Sequence, residues 1–256
     1  MKKSAMVPLI ALAVFIIAAG TASASNITIW DKEGAVGVED NEVTPNCVPG
    51  QVWDLEAFWQ TGNELSMIGG YNFKDGQSNG STTFRSGDIF IDTNNDAVWG
   101  PAAAGSGGGE STVYNNAFHY DYVIDIKDDF SAYSVYALNN DSLLTVYYGQ
   151  NATANPWRWV KPAGANPNSL WNGTISFTTE NPYGFQGWSG DTHYLATGFD
   201  LSFLAPGTEF LAKYTYECGN DNLIGQGTTA PVPEPATLLL LGSGLLGLAA
   251  FRRKAK

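Results

Sequence analysis

The sequence predicts an all-β protein built on a single β-sandwich, jelly-roll-like or lectin-like, and three observations predict it. Polar and apolar residues alternate with period two along short runs, as in HYDYVIDI at 119–126, which sets one side of an extended chain toward a core and the other toward solvent. Asn, Asp and Gly cluster between the runs, where tight turns need them. No stretch of the body keeps a helical repeat over three turns, whereas β-branched and aromatic residues crowd the runs. Ten or so strands in about 200 residues suit one domain, residues 25–224.

In chain order, MKKSAMVPLIALAVFIIAAGTASAS comes first. Lys2 and Lys3, an apolar run to about Ala19 and Ala22-Ser23-Ala24 make residues 1–24 a signal peptide, cleaved near Ser25. VWDLEAFWQ and LSMIGGYNF flank Thr61-Gly62-Asn63-Glu64 and read as a hairpin. STTFRSGDIFID leads through Thr93-Asn94-Asn95 into AVWG, and GPAAAGSGGG at 100–109 is too glycine-rich to pack, so a mobile loop is expected there. SAYSVYAL and LLTVYYG flank Asn139-Asn140-Asp141-Ser142 as a second expected hairpin. GTISFTT, THYLATGFDLSFL and TEFLAKYTYEC supply the later strands, with Pro206-Gly207 turning the chain into the last of these runs. Residues 225–232 read as a linker.

The closing stretch, PEPATLLLLGSGLLGLAAFRRKAK, holds an uncharged run from Ala236 to Phe251. As a helix it reaches about 24 Å, a little short of a ~27–30 Å hydrocarbon core, and the basic side chains beyond it can snorkel to the interface. Gly242-x-Gly244-x-x-Gly247 matches the dinucleotide-binding pattern, yet only nine residues follow Gly247 and none is acidic. The fingerprint needs an acidic residue about 20 positions on, so the glycines are read as a small-residue helix face. Basic clusters at both ends face the cytoplasm under the positive-inside rule, which places the body across the membrane.

Val232-Pro233-Glu234-Pro235, the apolar helix and the terminal basic cluster together resemble the tripartite PEP-CTERM sorting signal. The resemblance implies that residues 233–256 are a sorting signal handled by exosortase, a membrane cysteine protease-transpeptidase. Pro233, Glu234 and Pro235 would be the recognised motif, and Arg252, Arg253 and Lys254 would stop transfer while the helix holds the chain in the inner membrane. It further implies a place at the outer surface, often alongside exopolysaccharide, and no particular activity. A plain membrane anchor would explain the helix and the basic tail but not Pro-Glu-Pro.

Residues 25–232 hold 24 acidic side chains against seven basic ones, an excess of 17 negative charges. Such a surface repels nucleic acid and anionic lipid and attracts divalent cations, so no nucleic-acid partner is expected. Cys47 and Cys218, the only cysteines, are expected to pair in an oxidising compartment, a closure worth about 5 kcal/mol in the chain-entropy model.

Three constellations offer chemistry. Asp92-x-Asn94-x-Asp96 places three oxygen-bearing side chains at alternate loop positions, a calcium candidate that Asp88 and Asp125 can supplement. The EF-hand pattern nevertheless fails at Ala97, where glycine is required, and the bland alternative is a turn in which Asp and Asn bond their own backbone. Trp157, Trp159 and Trp171 are glycan-stacking candidates, Trp157 and Trp159 sharing one side of an extended segment, with core filling as the alternative. Catalysis has the least support: His119 and His193 lie in no zinc pattern, no G-x-S-x-G elbow is present, and no carboxylate pair stands out. The expectation is an exported bacterial surface or matrix protein with a structural or adhesive role linked to exopolysaccharide or biofilm. It would need no cofactor beyond possible calcium. A carbohydrate-binding module and a glycan-active enzyme are the alternatives.

Overall fold

A computed structural model describes residues 24–30, 43–44, 47–99, 109–148, 154–163, 167–179 and 192–231, with the single positions 242, 244 and 252. The expected signal peptide up to residue 23, most of the glycine-rich segment, and the sorting tail apart from those single positions lie outside the described residues. No helix among the described residues is long and apolar enough to cross a membrane.

The protein is all-β. Its strands are β1 (Ser25–Asn26), β2 (Thr28–Trp30), β3 (Leu55–Thr61), β4 (Glu64–Gly69), β5 (Gln77–Ser78), β6 (Thr83–Phe84), β7 (Ile89–Asp92), β8 (Gly109–Tyr114) and β9 (Tyr122–Ile126). They continue with β10 (Ala132–Ala137), β11 (Leu143–Tyr148), β12 (Arg158–Trp159), β13 (Trp171–Thr174), β14 (Ser176–Thr178), β15 (Tyr194–Asp200), β16 (Glu209–Thr215) and β17 (Asn222–Thr228). In the described body the only helical turns are two short 3-10 segments, Gln51–Trp53 and Asn115–Ala117.

One sheet runs β1-β3-β4-β15-β14, a second β13-β10-β9-β7-β16-β17-β2, and a third β12-β11-β8, with β5 and β6 forming a small ribbon. Period-two alternation sorts the middle of the seven-stranded sheet between two cores. Ile89 and Ile91 of β7, Ile124 of β9 and Phe210, Ala212 and Tyr214 of β16 join Phe58, Leu65, Met67 and Phe199 from the five-stranded sheet in one cluster. Phe90 and Val123, one position out of phase, join Leu144, Val146 and Trp159 of the three-stranded sheet in another. The seven-stranded sheet is therefore covered on both faces, and this is why Ile89-Phe90-Ile91-Asp92 is buried throughout. Tyr133 of β10 crosses the first core: its hydroxyl donates to Gly198 O at 3.0 Å and accepts from Asp200 N at 2.7 Å.

The β3–β4 hairpin forms as expected, turning at Gly62-Asn63. The second expected hairpin does not. Ser142 N donates to Asn139 O at 3.0 Å and closes a turn, but β10 pairs with β9 and β13 while β11 pairs with β8 and β12. Both edges of β10 are already occupied, so the chain leaves one sheet there and enters another. The linker boundary also moves. β17 continues to Thr228, and Ala230 N donates to Asn63 Oδ1 at 2.7 Å, so residues 225–230 belong to the folded body.

Candidate functional site

The Asp92-Asn94-Asp96 loop follows β7. Asp92 Oδ1 accepts from Asn94 N at 3.1 Å and Oδ2 from Ala97 N at 3.3 Å, while Asn94 Oδ1 accepts from Asp96 N at 3.0 Å. Asn95 sits at φ 63°, the left-handed region that Asn tolerates. Burial raises the Asp92 carboxyl above its ordinary range, offset by its bonds to Asn94 and Ala97 and supported by Asp121 and Asp96 nearby. Two of the three expected ligands thus face their own backbone in Asx turns, and the loop is tied back through Asp121, whose Oδ2 accepts from Thr93 N and Oγ1 at 2.8 and 2.6 Å. Among the described residues no three His, Cys, Asp or Glu side chains are grouped to hold a metal ion.

The tryptophans part company. Trp157 and Trp159 are interior, 1% and 7% exposed, whereas Trp171 on edge strand β13 is 37% exposed beside Leu170 at 52%. Trp159 packs against Tyr136 with ring centroids 4.7 Å apart. The guanidinium groups of Arg85 and Arg158 lie 5.6 and 5.9 Å from the Trp157 ring. The expected stacking platform at Trp157 and Trp159 is therefore corrected: their apolar area completes the protein's own core, and of the three candidates Trp171 alone has an exposed ring to offer a sugar.

Cys47 and Cys218 are not joined by a disulfide in the structure. Burial pushes their thiols up to about 11 and about 12, and the charge of Cys47 adds to the rise at Cys218. Their segments are joined by hydrogen bonds, Val48 N to Asn220 Oδ1 at 2.9 Å and Asn220 Nδ2 to Val48 O at 2.8 Å.

Three buried polar clusters were not legible as sites in the sequence. Asp88, 1% exposed just before β7, accepts Ile126 N from β9 at 2.9 Å and Trp159 N from β12 at 2.8 Å. Burial, then the charge of Asp125, raises its carboxyl to about 7. Asp125 Oδ2 lies 4.0 Å from Lys161 Nζ. Lys213 of β16, fully buried, donates through Nζ to the carbonyls of Ala154 and Pro156, and burial lowers its pKa well below the lysine range. Near the start of β3, Glu56 Oε1 accepts from Gln51 Nε2 at 3.0 Å and lies 3.3 Å from His193 Nε2. Only glycine fits opposite, because a Cβ on Gly70 would meet Gln51 O at 1.9 Å. Asp88 and Lys213 stitch strands of one layer to backbone of the next, while the Glu56–His193 pair is nearly closed off from solvent.

The decisive signal lies in the tail. Residues 231–254 match the PEP-CTERM protein-sorting motif. The match spans all six expected sorting residues, Pro233, Glu234, Pro235, Arg252, Arg253 and Lys254, and it implies export and processing by exosortase. Of these six, only Arg252 falls among the described residues, and it is exposed. No curated protein and no solved structure matches the chain.

Proposed function

We propose that the protein is an exported component of a bacterial outer surface or extracellular matrix, delivered through exosortase, whose body has a structural or adhesive role in contact with exopolysaccharide. The sorting motif at 231–254 carries this reading. The signal-peptide pattern at the other end and the anionic body between two cationic termini support it, since one transport route accounts for all three. On this reading the body is delivered cargo rather than a catalyst, and its layered sheets are the scaffold presented outside.

Export also carries Cys47 and Cys218 into an oxidising compartment, where their clasped segments favour a bridge between residue 47 and the chain just after β16. Mass spectrometry of the protein recovered from the producing cells tests both points. A mature chain beginning near Ser25 and lacking the tail beyond the Pro-Glu-Pro region is the expected result, and deletion of exosortase should restore the tail. An intact Met1–Lys256 chain in the cytosol overturns the reading. Under non-reducing conditions the peptides bearing Cys47 and Cys218 should run as one linked species, and separate peptides reject the bridge.

A further inference from the structure

The seven basic side chains of residues 25–232 are not spread evenly. Lys74, Arg85 and Lys127 line a single cleft of ≈ 90 Å³, together with Asp75, Ser86 and Asp128. Three separate connections deliver them: the turn after β4 brings Lys74, the link between β6 and β7 brings Arg85, and the turn after β9 brings Lys127. Arg158 flanks the cleft, bonded to Asp128 at 2.6 Å and facing the same Trp157 ring as Arg85. Four of the seven cations of a strongly anionic body therefore meet in one place.

The acids there are already engaged. Asp75 Oδ2 accepts from Asn72 Nδ2 at 3.1 Å, Asp128 holds Arg158, and Glu217 Oε2 accepts from Arg85 N at 3.0 Å and Nε at 3.2 Å. Lys74 and Lys127 are exposed and make no ion pair with the described residues. The walls are fixed: Gly76 holds φ 73° with Phe84 O only 2.3 Å from where a Cβ would stand, and Tyr214 OH donates to Ser86 Oγ at 3.0 Å. Two ammonium groups on a rigid rim, beside the Glu217-paired guanidinium of Arg85, suit a small oxyanion, and the cleft is too small to enclose a sugar ring. Repulsion from more distant carboxylates is screened beyond about 8 Å at physiological salt, so an incoming anion meets chiefly the charges around the cleft, where Asp75, Asp128 and Glu217 are bonded to their neighbours and Asp129 lies near Lys127.

We propose that this cleft binds the pendant carboxylate of an acidic polysaccharide, a polyuronate. This rests on the reading above that the body lies in exopolysaccharide. The test uses the mature exported protein with polygalacturonate, dextran sulfate and neutral dextran as probes. Polygalacturonate should bind and neutral dextran should not. The Lys74→Gln/Lys127→Gln double variant, altered only at exposed positions, should bind polygalacturonate about fivefold to tenfold more weakly with an unchanged melting temperature. Dextran sulfate bound as tightly as polygalacturonate overturns the carboxylate assignment in favour of any oxyanion. Unchanged binding by the double variant, or no binding by the parent, overturns the site, even if exosortase processing is intact. Processing that fails while purified protein still binds polygalacturonate overturns the delivery reading and leaves the cleft standing.

Discussion

The two faces of the seven-stranded sheet are held by different chemistry. Toward the five-stranded sheet, 23 buried apolar and aromatic residues form one continuous cluster, with Tyr71 stacked on Tyr216 at 4.1 Å between centroids. Toward the three-stranded sheet the cluster has eight buried residues among the described ones, and buried ionisable groups add polar bonds to it. Asp88 bonds two backbone N–H groups there, and Lys213 bonds two carbonyls. A large apolar interface gains most of its energy from buried area, a term without directional bonds. A smaller apolar interface closed by buried polar bonds gains less energy but tolerates little displacement, because each buried polar group left without a partner is costly.

The largest expected effect comes from the apolar side. Phe58→Ala opens a cavity among fully buried neighbours and should cost about 3–5 kcal/mol, read as a lower denaturation midpoint for the whole body. A loss confined to one sheet would break the comparison by showing that the faces unfold separately. On the polar side, Asp88→Ala strands the amides of Ile126 and Trp159 and should cost about 2–4 kcal/mol. Hydrogen exchange at those two amides should accelerate more than at β16.

The same carboxyl gives the polar face a pH dependence. The Asp88 pKa is raised in the folded chain, so the folded state holds a proton that the unfolded chain releases across pH values from about 4 to about 7. Its contribution is full below that window and is lost as pH rises through it. Stability of the parent should fall from about pH 4 to about pH 7 relative to Asp88→Ala, as measured by paired melting curves. Parallel curves would remove the buried carboxylate as the cause.

The smallest effect belongs to the edge. Trp171→Ala on β13 should change stability by about 0.5 kcal/mol or less. A loss of glycan binding on an array in that variant alone would restore the aromatic-platform reading at the exposed one of the three candidate tryptophans.

The β3–β4 hairpin was legible because its turn residues and both alternating strands are contiguous. The β10–β11 pair was misjudged because a local turn cannot report that both edges of β10 are occupied by other strands. Trp157 and Trp159 carried the same ambiguity: their spacing puts them on one side of the chain, but what covers that side is a distant sheet. Asp92 and Asn94 show the reverse, since the turn alternative was already present in the pattern and local backbone bonds favoured it.

By itself the sequence determined the strand period, the excess of negative charge and the sorting address at the terminus, because alternation, composition and a contiguous motif are properties of neighbouring residues. Tertiary structure alone decided that a third sheet buries the second face, that Asp88 and Lys213 lie inside it, and that Lys74, Arg85 and Lys127 share one cleft. Those outcomes depend on which strands pair across long separations, and nothing local to residues 74, 85 or 127 encodes that they meet.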